Sequence, residues 1–120
     1  MSEQVVEQFV ERIDAVFLPV KNLQESLKWY QDVFGFVLRW RNERMGGLAI
    51  APNCGFHLVQ VSDFHPINKY TPFNFAVKDV EEVRNRLQEK GVTVSGLRPG
   101  EPKRFDLTDV NGNMISVIQL

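Results

Sequence analysis

The sequence is short of the features that mark most simple functional classes. It has one cysteine, Cys54, which excludes an internal disulfide and a zinc site of four thiolates. Its 14 basic and 15 acidic residues leave a net charge of −1 and no basic stripe, so a nucleic-acid partner is not expected. No apolar run approaches the ~20 residues that cross a bilayer. Glu3 and Glu7 stand where a secretory leader would carry basic residues, so no membrane partner and a cytoplasmic location are the expectations. A glycine-rich phosphate loop, a serine-centred elbow and a His-Glu-x-x-His helix are all missing. Gly46-Gly47 reads as a turn or flexible loop.

What is present is an ordinary globular composition, 43% hydrophobic and 24% charged, in 120 residues, enough for one domain with a core. The informative feature is that the chain contains itself twice. Residues 15 to 61 and 72 to 120 pass through similar patterns in the same order, opening on AVFLPVKNL and PFNFAVKDV. Asn22 and Asp79 suit helix N-caps, with Glu25 and Glu82 three positions on. Leu23, Leu27, Tyr30 and Phe34 form the apolar stripe of one helix; Val80, Val83 and Leu87 form that of the other. Gly35 and Gly91 suit the C-terminal ends. Three short β-prone segments follow each helix: FVLRWRN, GLAIAP and GFHLVQV, then VTVSG, RFDLTD and NMISVIQL.

The reading is therefore α+β, one domain over 1–120 of two βαβββ modules, at about 13–61 and 72–120, joined by a linker at 62–71. Residues 2 to 11 lie outside the repeat. Val5, Val6, Phe9 and Val10 would share one face of a short helix there, an added element covering apolar surface or meeting another subunit.

The string VKNLQESLKWYQDVFGF, followed by DVNGNMISVIQL, resembles the vicinal oxygen chelate superfamily of glyoxalases, bleomycin-resistance proteins and extradiol dioxygenases. The resemblance spans nearly the whole chain after the N-terminal segment and rests on Trp29-Tyr30 before Gly35-Phe36 and on the Asp109-x-x-Gly112-Asn113 turn. It implies a cup-shaped mixed sheet, and a divalent metal held from the start of each module's first strand and from a point in each last strand. Those four positions here are Ala15, His57, Pro72 and Ser116, of which only His57 is an ordinary ligand. A catalytic metal takes about three protein ligands, so neither a metal nor any other cofactor is expected.

Strand alternation places Ala15, Phe17, Pro19, His57 and Val59 of the first module on the cup face, with Pro72, Asn74, Ala76, Ser116 and Ile118 of the second. Val16, Leu18, Val20, Phe73, Phe75 and Val77 take the core face. On the second strand, an arginine beside Trp40, Arg39 or Arg41, could meet an anionic ligand, with solvated strand-edge charge as the plainer explanation. His65 reads as an exposed loop residue. The expected ligand-binding residues are Phe17, Trp40, His57, Asn74 and Ser116. The functional expectation is metal-independent binding of a small hydrophobic or aromatic molecule, by a homodimer as is common in the family. The alternative is a lyase, isomerase or dioxygenase with a reduced site centred on His57, so whether the chain is an enzyme stays open.

Overall fold

In the computed structural model, which describes residues 5–120, each half builds one four-stranded mixed sheet with one helix packed on it. The first half contains β1 (Ala15–Val20), α1 (Leu23–Phe34), β2 (Val37–Arg41), β3 (Met45–Ala51) and β4 (Cys54–Gln60), with strand order β1-β4-β3-β2. The second contains β5 (Asn74–Val77), α2 (Val80–Glu89), β6 (Thr93–Val94), β7 (Arg104–Thr108) and β8 (Met114–Gln119), ordered β5-β8-β7-β6. In both, the first strand runs parallel to the last and the remaining pairs are antiparallel. The duplicated α+β architecture read from the sequence is thus the architecture observed.

The helix ends follow from local chemistry. Asn22 and Asp79 accept hydrogen bonds from the backbone N–H of Glu25 and Glu82, each satisfying one of the free donors of a helix start. Gly35 ends α1 in the left-handed region at φ 74°, where a side chain would be strained. Leu23, Leu27, Tyr30, Val80 and Leu87 are buried, and Leu18, Val20, Phe56, Leu58, Phe105, Leu107, Ile115 and Val117 meet them from the core faces of the strands.

One core serves both halves. Phe34 and Phe36 pack against Phe75, and Phe56 packs against Phe73 and Phe75. The buried carboxylate of Asp109 accepts a 2.6 Å hydrogen bond from Tyr30 Oη and also bonds the backbone N–H groups of Asn111 and Asn113. Asn113 in turn donates from Nδ2 to Pro19 O and accepts at Oδ1 from Ile67 N. The Asp109–Asn113 turn is therefore the polar clasp between the modules, with Gly112 at φ 89° allowing its tight bend.

Two expectations need correction. Residues 5–14 form no helix; Val5, Val6, Phe9 and Val10 stand exposed, because a stripe of so few residues has little helical stability without a surface to bury it. Positions 2–4 of that expected helix lie outside the described residues. Gly46-Gly47 is not a loop but the buried interior of β3. Its two residues face opposite sides of the sheet, Gly46 toward Leu27 of α1 and Gly47 toward Trp40.

Candidate functional site

The cup face of the first sheet carries an aromatic cluster built by strand register. β1 and β4 pair with Phe17 opposite His57, and β3 and β4 pair with Gly47 opposite His57. Phe17 meets the imidazole edge to face at a centroid distance of 4.8 Å, and Trp40 does so at 5.1 Å. The indole fits because Gly47 lacks a side chain: a Cβ there would lie 2.1 Å from Trp40 Nε1. Gly55 serves the same end at β4, since its Cβ would lie 3.0 Å from Ala15 Cβ and 3.1 Å from His57 Nε2.

Beside this cluster lies an open concavity of about 370 Å³, walled by Trp40, Gly47, His57, Arg39, Asp14 and the Ala51–Gly55 turn. Phe17, 57% exposed, holds the imidazole but does not line the concavity itself. A bulge between Leu38 and Trp40 in β2 lets Arg39 and Trp40 both reach it, where strict alternation would have sent them to opposite faces. Arg39 thus supplies a cation to the wall, while Arg41 is engaged with Gln24 of α1. Asp14 and the 51–55 turn are not expected at the site from the sequence, and Gly47 reads there as part of a turn; a glycine pair inside an apolar strand is the signal that could have pointed to a close approach.

His57 Nδ1 is buried and has no hydrogen-bond partner among the described residues. A buried polar atom left unpaired costs about 1–3 kcal/mol, so this nitrogen favours any group able to reach it.

Asn74 and Ser116 are register partners in the second sheet, apart from the Phe17, His57 and Trp40 cluster. Asn74 is exposed on the edge strand β5. Ser116 is buried, and its hydroxyl donates to Asp106 Oδ1 at 2.7 Å. His65 is exposed beside Asp63. The donor set at the four family positions does not fit a divalent cation: Ala15 and Pro72 have no donor, and the Ser116 hydroxyl is already committed. Among the described residues no three His, Cys, Asp or Glu side chains cluster, and no helix is long and apolar enough to cross a membrane.

The fold recurs in solved structures. TnmS3, an antibiotic binding protein from Streptomyces sp. CB03234, is similar with a TM-score of 0.81 at 22% identity over 94% of this chain and 98% of that one. A glyoxalase family protein from Bacillus anthracis gives 0.82 at 19% identity, covering 95% and 98%. Another from Enterococcus faecalis gives 0.79 at 21% identity, covering 93% and 100%. No curated protein matches the chain. The model of the Glyoxalase/Bleomycin resistance protein/Dioxygenase superfamily matches residues 12–117, and with the duplicated βαβββ fold this makes the chain a member of that superfamily.

Proposed function

We propose that this protein binds a small aromatic molecule on the Trp40–His57 face without using a metal. The observation that carries the reading is the His57 imidazole, held between Phe17 and Trp40 in the wall of an open concavity, with its buried Nδ1 unpartnered among the described residues. Aromatic walls with a few directed polar groups are the usual make-up of a small-molecule site. Arg39 in the wall favours a ligand with an anionic group. TnmS3, which is an antibiotic binding protein, supports a small-molecule ligand.

The cup is completed, in this reading, by a second copy. β1 and β5 are both sheet edges, the two sheets are not hydrogen-bonded to each other, and Asn74 and Ser116 stand on the second sheet while Phe17, Trp40 and His57 stand on the first. A homodimer would bring the second sheet of one copy over the first sheet of the other.

The test combines metal analysis with binding. The aromatic anion 8-anilino-1-naphthalenesulfonate should bind with the same affinity before and after exhaustive chelation, and Trp40→Ala should weaken it about tenfold. One tightly held divalent cation per chain, lost on His57→Ala, would refute metal-independent binding. A second reading rests on the same imidazole, with His57 acting as a base toward a bound substrate. It requires turnover of a hemithioacetal, catechol or epoxide that disappears in His57→Ala.

A further inference from the structure

Between the modules lies an apolar cavity of about 430 Å³, walled by Val33 and Phe34 of α1, Ile50 of β3, Phe75 of β5, and Val83 and Leu87 of α2. Small-molecule sites run from about 300 to 1,000 Å³, and this one falls among them. It meets the Trp40–His57 concavity at Ala51 and Cys54, where β3 turns into β4, and otherwise has walls of its own. An apolar cavity holds water poorly and gains most from an apolar occupant.

The charge at this cavity has one sign. Arg86 and Lys90, one turn apart on α2 and both exposed, stand at its mouth, and no acidic side chain among the described residues lines it. The two cations are engaged differently. Lys90 Nζ donates to Val33 O at 2.8 Å and to Asp32 O at 3.4 Å, so its charge rests on the C-terminal carbonyls of α1 and ties α2 across the seam. Arg86 has no ion pair among the described residues. A guanidinium is a planar fork that fits a carboxylate through two parallel hydrogen bonds. Apart from the two cations, only Asn74 and Cys54 bring polar side-chain atoms to the wall, so the body of the ligand must be hydrocarbon.

We infer that the seam cavity is a second small-molecule site, which takes a free medium-chain aliphatic carboxylate with its head on Arg86. The site stands apart from the aromatic ligand and the second copy proposed above, because neither Trp40 nor His57 lines it and both modules of one chain build it.

The test uses dodecanoate below its micellar concentration with the full chain. Binding is read by calorimetry and by protection of Cys54, whose exposed thiol lines the cavity, from alkylation. One saturable site per chain is expected, with alkylation slowed several-fold. Dodecanol, the same chain without the charge, should bind about tenfold more weakly. Arg86→Gln should weaken dodecanoate about tenfold and leave dodecanol unchanged, a split that a merely structural role would not produce. Ile50→Trp, on a lip that is 41% exposed, should block both ligands, and Trp40→Ala should affect neither. No saturable binding to the wild-type chain would overturn the site, as would loss of dodecanoate in Trp40→Ala with none in Arg86→Gln. Equal affinity for dodecanoate and dodecanol would overturn the assignment of the head to Arg86. Binding that appears only in Phe9→Glu would give the cavity to the chain's own apolar segment at 5–13 and overturn the ligand site.

Discussion

The neighbouring glycines of β3 allow the cup face and the core face to be perturbed one methyl at a time. Alanine at Gly47 would place its Cβ 2.1 Å from Trp40 Nε1, 2.5 Å from Cε2 and 2.8 Å from Cδ1. Ordinary carbon contacts begin near ~3.5 Å, so the indole must withdraw by roughly 1.4 Å. Trp40 is 40% exposed and has solvent to move into. The withdrawal gives up the edge-to-face contact with His57, worth about 0.5–1.5 kcal/mol, and removes the aromatic wall from the concavity.

Gly47→Ala should therefore cost about 1 kcal/mol of stability while weakening the naphthalenesulfonate probe about tenfold, some 1.4 kcal/mol. Alanine at Gly46 meets Leu27 Cδ2 at 2.8 Å and Cδ1 at 2.9 Å instead, and Leu27 is buried on α1 with nowhere to go. Overpacking of that kind costs about 1–3 kcal/mol, so Gly46→Ala should lower the thermal midpoint by about 4 °C per kcal/mol lost and leave probe affinity nearly unchanged. Thermal unfolding, probe titration and the Trp40 emission spectrum, recorded in a Trp29→Phe background, distinguish the two. Unchanged Trp40 emission and probe affinity in Gly47→Ala would refute the assignment of this glycine to the site.

Burial, then the Asp109 charge and its hydrogen bond, hold the Tyr30 phenol well above its ordinary pKa. The folded state thus keeps a proton that the unfolded chain releases, so Tyr30's contribution is complete below about pH 10 and is lost above it, at up to ~1.4 kcal/mol per pH unit. Tyr30→Phe should abolish that alkaline slope in denaturant titrations and cost about 1.5–3 kcal/mol at neutral pH by removing a bond to a carboxylate. Arg39→Ala should weaken the anionic probe several-fold in titrations at low salt, with the difference shrinking as salt is added. Asn113→Ala should destabilise by about 2 kcal/mol in chemical denaturation, because Ile67 N and Pro19 O both lose their partner.

The sequence by itself determined the elements and their duplication, because each was encoded by near neighbours. Asn22 and Asp79 cap helices through the third residue on, Gly35 supplies a left-handed end, and the stripes through Leu27 and Leu87 repeat at helical spacing. The same locality makes the four family positions comparable residue by residue, so the lack of donor side chains at Ala15 and Pro72 is legible in the sequence alone. Tertiary structure decided what depends on register and on distant partners. It set Trp40 over Gly47 and against His57, let Arg39 join Trp40 through a bulge that alternation could not foresee, and committed Ser116 to Asp106. It also joined Tyr30 to Asp109, 79 residues apart, and left the amphipathic arm at 5–13 without a surface of its own. A stripe is legible in near neighbours, but whether anything covers it depends on the folded surface, which here leaves it exposed.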